Sequence, residues 1–219
     1  MKKMDPMQAH MMEEFETKKR SFSYLNKIAK KGETLFVGSS LMEQFPINEL
    51  LMSRGINKTI YNRGIGGYTT ELMLNSLEEM VFGLEPSRIF INIGTNDISE
   101  PTYTLEKLIS NYRQILTRIQ ERLPEAEITL LAYYPVNETL RQKDEGETSE
   151  RFNTRNNENL RIANEAVKQL ASEMNCRFVD ANANLTDENG RLKKEYTAEG
   201  VHMYASAYDV ILDNLIPYL

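Results

Sequence analysis

The chain of 219 residues alternates short strand-like segments with longer helix-like ones, and this alternation restricts its fold more than any other feature. Five short segments are rich in β-branched, aromatic and aliphatic residues: Thr34–Val37, Thr59–Asn62, Arg88–Ile93, Glu127–Tyr134 and Arg177–Asp180. Their interiors are nearly continuous apolar runs, as in strands of a parallel sheet that is covered on both faces. Strands that alternate with helices indicate βαβ units, so the sequence predicts an α/β protein.

The spacing of apolar residues predicts helices between these strands and after the last one. The predicted helices are Glu71–Phe82, Leu105–Leu123, Phe152–Met174 and a closing helix over Ala205–Leu215. Apolar residues of the second recur at i, i+3, i+4 and i+7 until Pro124 stops it. The apolar residues within 1–32 indicate one long helix or two short helices that pack on the sheet. The segment Asn137–Glu150 is charged and has no periodicity, which indicates a loop or lid. We expect one domain over 1–219.

Composition and charge exclude several classes of function. The net charge of -6 and a pI near 5.2 give little electrostatic support for binding nucleic acid. No apolar stretch approaches the roughly 20 residues of a membrane helix, and the N-terminus lacks the apolar core of a signal peptide. The lone Cys176 excludes an intrachain disulfide and a thiolate metal cluster. We therefore expect a cytoplasmic protein that neither binds nucleic acid nor inserts into a membrane; the sequence leaves its oligomeric state open.

Candidate chemistry follows the predicted strands. In an open parallel sheet, ligands bind beyond the carboxyl ends of the strands. The motifs at these ends are Gly38-Ser39-Ser40 after the first strand, Asn62 to Gly67 after the second, Gly94 to Asp97 after the third, and Glu199 to His202 beyond the fifth. All four motifs are expected at the same edge of the sheet, which favours one shared pocket over a chance arrangement of unrelated turns.

Each motif also has an ordinary structural interpretation. Ser39 or Ser40 could cap the next helix, glycines could supply positive φ, and Gly94 to Asp97 could form a plain turn. Arg63 could meet a substrate anion or lie in solvent. His202 could cap the last helix, but His10 lies in the polar N-terminal stretch, so His202 is the one credible general base.

The ordered motifs resemble those of the GDSL or SGNH hydrolases, from about Leu35 to Tyr208. That resemblance implies a three-layer α/β/α flavodoxin-like fold with a five-stranded parallel sheet. It also implies the site residues: Ser40 as nucleophile, Gly67 and Asn96 as oxyanion donors, His202 as base and Glu199 as its partner. No metal and no organic cofactor are implied.

Two residues depart from the family's pattern. Ser39 replaces the aspartate that usually precedes the nucleophile, and its smaller hydroxyl is expected to preserve the turn. Glu199 replaces the triad aspartate and is one methylene longer, which is chemically possible because serine, histidine and glutamate triads exist on another hydrolase fold. The resemblance implies a serine esterase that hydrolyses a small-molecule substrate with a short-chain ester, preferably O-acetyl groups on a carbohydrate or a similar small molecule. The alternatives are a noncatalytic flavodoxin-like binding module and an O-acyltransferase that uses the same serine.

Overall fold

The computed structural model describes residues 6–140 and 154–219. Its strands are β1 (Thr34–Gly38), β2 (Ile60–Asn62), β3 (Arg88–Asn92), β4 (Glu127–Leu131) and β5 (Arg177–Val179). They form one sheet in the order β2-β1-β3-β4-β5, and every neighbouring pair is parallel. The direction of winding reverses between β1 and β3, which is the flavodoxin-like switch point. The predicted α/β class and five-stranded parallel sheet are confirmed.

Nine α-helices surround this sheet in the described part of the chain. They are α1 (Pro6–Ile28), α2 (Ser40–Glu43), α3 (Ile47–Ser53), α4 (Thr70–Leu74), α5 (Leu77–Met80), α6 (Thr95–Ile98), α7 (Leu105–Arg122), α8 (Asn157–Glu173) and α9 (Ala205–Leu215). Alternate strand residues enter two apolar cores: Leu35 and Val37 pack with residues of α4, α5, α7 and α8, whereas Phe36 packs with those of α2, α3 and α9. The molecule therefore has the predicted three layers.

Helix α7 matches its prediction within one residue. Its buried residues keep the helical spacing, and they are Leu108, Tyr112, Ile115, Leu116 and Ile119. The Thr104 hydroxyl accepts a hydrogen bond from the Lys107 amide at 3.2 Å, which caps the first turn. The helix ends at Arg122 because Pro124 cannot continue it.

The helix predicted over Glu71–Phe82 is wrong as a single element. The structure has α4 and α5 in its place, followed by a 3-10 turn at Phe82–Leu84. Side chains hold the break between them: the Ser76 hydroxyl lies 3.2 Å from the Tyr68 hydroxyl, and Arg118 donates to the Leu74 carbonyl at 3.3 Å. Tertiary hydrogen bonds therefore replace helical ones at this point.

The fourth strand is also shorter than predicted. It ends at Leu131, and beyond it the Tyr133 amide donates to the Asn164 side chain at 2.7 Å rather than to a neighbouring strand. The last helix of the βαβ pattern begins at Asn157, because the Asn156 side chain accepts from the Asn159 amide at 2.9 Å and caps it. Residues 141–153, which carry most of the predicted loop and the start of the predicted helix, lie outside the described residues.

The N-terminal segment is one long helix, α1. It packs on α5 and on the 3-10 turn that follows it, and Phe15 enters the same apolar core as the sheet residues Leu35 and Val37. The Asn26 side chain donates to the Glu79 carbonyl at 2.8 Å, which joins α1 to α5. The helix thereby lies beside the loop that follows β2.

Candidate active site

The nucleophile candidate stands where β1 turns into α2. Ser39 occupies the N-cap position with extended backbone but makes no side-chain capping bond. It is fully buried, and within the described residues its Oγ has no hydrogen-bond partner. Ser40, the first residue of α2, is 8% exposed and directs its Oγ towards His202. The capping interpretation of the two serines is therefore wrong.

A hydroxyl, an imidazole and a carboxylate form one hydrogen-bonded series. The Ser40 Oγ lies 3.0 Å from His202 Nε2, and His202 Nδ1 lies 2.8 Å from Glu199 Oε1. The same carboxylate oxygen accepts from the His202 backbone amide. Glu199 thus holds both the ring and the backbone of His202, which fixes the ring's orientation towards Ser40.

A compact turn presents Glu199 and His202. The Thr197 hydroxyl donates to the His202 carbonyl at 2.7 Å and accepts from the Gly200 amide at 2.9 Å. Thr197 also pairs with Met203 across an antiparallel bridge. These short-range bonds close the turn on itself, so the geometry of the base and its partner is set largely within seven residues of sequence.

The Glu199 carboxylate is favoured in its charged form. Burial by itself raises the pKa of this carboxyl, but hydrogen bonds from His202, the His202 charge and the nearby Arg155 guanidinium together lower it below the ordinary value. Arg155 is itself buried, and burial lowers its pKa to about 10. A buried cation and a hydrogen-bonded imidazole thus keep Glu199 ionised at neutral pH.

The glycine turn after β2 is fastened to α2. The Asn62 side chain donates to the Met42 carbonyl at 2.6 Å and accepts from the Gly64 amide at 2.9 Å. Only glycine fits at position 64, because a Cβ there would collide with the backbone nitrogen of Glu43. This close approach brings the turn beside the helix that begins with Ser40.

The two adjacent glycines of this turn differ in what their amides do. The Gly66 amide donates to the Glu43 carboxylate at 2.6 Å. The amides of Gly67 and Ser40, in contrast, donate no hydrogen bond to any residue that the structure describes. Gly67 rather than Gly66 therefore has a free N–H to offer a ligand oxygen.

Asn96 reaches this turn from the end of β3. It lies two residues after Gly94, whose φ of 127° is a conformation that residues with a side chain rarely adopt. A Cβ at position 94 would also collide with the Tyr133 hydroxyl. One N–H of the Asn96 amide donates to the Tyr68 carbonyl at 2.9 Å, and the side chain has a second N–H. The neighbouring Asp97 accepts from the Thr70 amide at 2.9 Å and from its hydroxyl, which joins α6 to α4.

The five predicted site residues thus gather at the carboxyl edge of the sheet, whereas Arg63 does not take either predicted role. Arg63 is buried at 5% exposure, with its guanidinium 4.8 Å from the Phe22 ring centre and within 3.0 Å of the Asn26 side chain. It therefore anchors α1 instead of meeting substrate or solvent. The other histidine, His10, pairs with Glu14 on α1.

Sequence reasoning missed three residues that shape the site: Glu43, Thr197 and Arg155. Glu43 lies one helical turn after Ser40, and this spacing is a usable signal because residues three apart share a helix face. Thr197 begins the short stretch that leads to His202, and the sequence around it indicates only that it lies in a turn. Nothing local in the sequence distinguishes Arg155 from other arginines.

The described residues contain neither a metal-binding cluster nor a membrane-spanning helix. Across 6–140 and 154–219, no group of three or more histidine, cysteine or acidic side chains is placed to hold a metal ion. In the same part of the chain, no helix combines the length and apolarity needed to cross a membrane.

A hydroxyl, imidazole and carboxylate in series, beside free amides at the carboxyl edge of a parallel sheet, are typical of a serine hydrolase. The chain belongs to the GDSL-like lipase/acylhydrolase family, whose model matches residues 37–210. Within that family it is a carboxylic ester hydrolase.

Three relatives illustrate this membership. A solved structure from Streptococcus pneumonia, provisionally named a platelet activating factor, is 34% identical with a TM-score of 0.82 and covers 98% of this chain and 99% of its own. The isoamyl acetate-hydrolyzing esterase of Saccharomyces cerevisiae is 26% identical over 80% of this chain and 74% of its own. The platelet-activating factor acetylhydrolase IB subunit alpha1 of Bos taurus is 25% identical over 82% of this chain and 71% of its own.

Proposed function

We propose that the chain, acting as a single domain over 1–219, hydrolyses short-chain esters through an acyl-enzyme on Ser40. The preferred substrates are O-acetyl groups on a carbohydrate or a similar small alcohol. The observation that carries this proposal is the 3.0 Å distance between Ser40 Oγ and His202 Nε2, because a base within hydrogen-bonding reach is what activates a serine hydroxyl.

In the first half of the reaction, Ser40 Oγ attacks the ester carbonyl carbon while His202 Nε2 takes the hydroxyl proton. The carbonyl oxygen becomes an oxyanion, and the free amides of Ser40 and Gly67 and the second N–H of Asn96 are the donors available to it. Glu199 stabilises the imidazolium that forms. His202 then gives its proton to the departing alcohol oxygen, which leaves the acyl group on Ser40.

In the second half, water replaces the alcohol. His202 takes a proton from the water as its oxygen attacks the acyl carbon, and the same donors hold the second oxyanion. The bond to Ser40 Oγ breaks as His202 returns the proton to that oxygen. The products are a carboxylic acid and the free enzyme, so the cycle needs no cofactor.

A short acyl group is supported by the surroundings of the oxyanion turn and by the relatives. A Cβ placed on Gly67 would lie 3.3 Å from the Phe15 ring, so α1 closely covers this turn. Two curated relatives carry names that refer to acetyl esters. The preference for a carbohydrate alcohol rests on the sequence resemblance alone.

The experiment measures both the nucleophile and the substrate. A fluorophosphonate probe should label Ser40, as located by peptide mass spectrometry, and Ser40→Ala should remove the label. Rates on p-nitrophenyl acetate, butyrate and octanoate should fall with chain length, and acetylated sugars should be cleaved faster than isoamyl acetate. An enzyme that prefers octanoate would contradict the short-chain proposal, and absence of labelling in the folded protein would contradict the serine mechanism. Transfer of acetyl to an added sugar in preference to water would identify an acyltransferase.

A further inference from the structure

A carboxylate on the helix of the nucleophile also holds the oxyanion turn. Ser40 and Glu43 are the first and last residues of α2, and Glu43 Oε2 accepts the Gly66 amide at 2.6 Å. A Cβ placed on Gly66 would lie 3.7 Å from the Ser40 Cβ, so the bonded turn is directly beside the nucleophile. One short helix thus carries the serine and fastens the segment with the free Gly67 amide.

The long N-terminal helix fixes that carboxylate in turn. Lys18 of α1 donates to Glu43 Oε1, the oxygen that Gly66 does not use. The two side chains are only partly exposed, at 37% for Lys18 and 32% for Glu43. The family model begins at residue 37, so α1 precedes the matched segment and still reaches its oxyanion turn.

Two successive glycines need such a tie. The Tyr68 amide closes the turn on the Ile65 carbonyl at 3.2 Å. Glycine nevertheless has no Cβ and samples a wide range of φ and ψ, so the two residues themselves restrain the peptide between Gly66 and Gly67 only weakly. An oxyanion donor contributes most when it is oriented before the reaction begins. Asn62 fixes the start of the turn at Gly64, and within the described chain Glu43 is the side chain that bonds the Gly66 amide.

We propose that Glu43 is a positioning residue of the esterase, and that Lys18 positions Glu43. By accepting the Gly66 N–H, Glu43 holds the Ile65–Gly66 peptide and thereby restrains the next peptide, whose Gly67 N–H faces the oxyanion. This inference rests on the proposed function, since it assigns a purpose to a contact at that site. Neither side chain touches substrate: the effect passes through the Gly66 amide to the Gly67 amide.

The main test replaces Glu43 and separates turnover from binding. With p-nitrophenyl acetate, Glu43→Ala should lower kcat by roughly 10- to 100-fold and leave KM within about twofold, because the oxyanion donor is present but no longer held. Glu43→Gln should recover kcat to about the level of Lys18→Met, because its amide oxygen can still accept from Gly66 while its NH2 group cannot pair with Lys18. Glu49→Ala, which removes an exposed carboxylate from α3, is the matched control and should leave both constants unchanged.

A second pair of variants keeps the test decisive if Glu43→Ala does not fold. Lys18→Met should lower kcat by about 3- to 10-fold at constant KM, whereas Lys19→Met, which removes a cation paired with Glu16, should not. Fluorophosphonate titration gives the fraction of active enzyme in every sample. The inference is overturned if Glu43→Ala or Lys18→Met matches its control, or if the loss equals the loss of folded enzyme. A wild type that is folded but inactive and unlabelled would instead overturn the proposed function.

Discussion

The two halves of the candidate site are held in different ways. On the nucleophile side, Ser40 is almost fully buried, and the neighbouring glycine turn is bonded to α2 by Asn62 and Glu43. On the base side, the His202 side chain is 44% exposed, and its turn is closed mainly by its own Thr197 and Glu199. The first half depends on the scaffold, whereas the second is a local unit docked onto it.

This difference explains how a carboxylate one methylene longer than aspartate still reaches His202 on the base side. Glu199 bonds the ring and the backbone amide of one residue, His202, three positions later. An extra methylene in such a turn can be absorbed by local backbone adjustment. A change of the same size at Gly64 would collide with α2, because that turn is packed against a neighbouring element.

The largest effect should come from the buried half. Ser40→Ala should lower kcat on p-nitrophenyl acetate by about 10⁴-fold or more, because removal of a serine nucleophile abolishes the covalent route. The matched control is Ser39→Ala, which deletes a buried hydroxyl with no partner in the described residues and should keep the rate within a few-fold. Thermal unfolding of both variants should stay close to wild type. If Ser39→Ala were the inactive variant, the nucleophile assignment would be reversed.

The next effect tests the locally built half. Glu199→Gln should lower kcat by about 10³- to 10⁴-fold, because an amide cannot stabilise the imidazolium and can favour the wrong tautomer. Glu195→Gln changes an exposed carboxylate four residues earlier and should leave kcat unchanged. Circular dichroism should show both variants folded. A neutral result at position 199 would indicate that Ser40 and His202 act as a dyad.

A smaller effect should follow at Asn96, the side-chain oxyanion donor, which is bonded to the Tyr68 carbonyl beside the glycine turn. Asn96→Ala should lower kcat by about 10² to 10³, the usual cost of removing one oxyanion donor. The loss of its hydrogen bond to the Tyr68 carbonyl should also cost about 1 kcal/mol of unfolding free energy, measured by urea titration. Asn75→Ala, at the exposed end of α4, is the control. An unchanged rate would remove Asn96 from the site.

Sequence reasoning predicted the elements whose signals are local. The strands were predicted from apolar runs and α7 from its periodicity, and the resemblance of short motifs after the strands to those of the GDSL hydrolases implied the five candidate site residues. The break between α4 and α5 could not be predicted, because it depends on Tyr68 and Arg118, which approach from elsewhere in the fold.

The supporting residues of the site were hidden for the same physical reason. Arg63 follows β2, where the sequence allows a substrate contact or a solvated side chain, yet it stacks on Phe22 of a helix some forty residues earlier. Glu43 and Lys18 are ordinary helix charges until the fold brings them to the Gly66 amide. A motif states which groups can react, but the contacts that orient those groups arise from packing.

The smallest predicted effect concerns stability rather than rate, and it belongs to the base side. The pKa of Glu199 lies below its ordinary value of 4.5 in the folded protein, so the unfolded chain binds a proton there before the folded one does. The stability that this carboxylate contributes is present above pH 4.5 and is lost as pH falls through the lower, folded pKa. The difference in unfolding free energy between wild type and Glu199→Gln should therefore shrink as the pH is lowered from neutral to below 4.5, measured by urea titration. A constant difference would mean that neither the bonds of Glu199 to His202 nor the nearby Arg155 guanidinium favours its charged form.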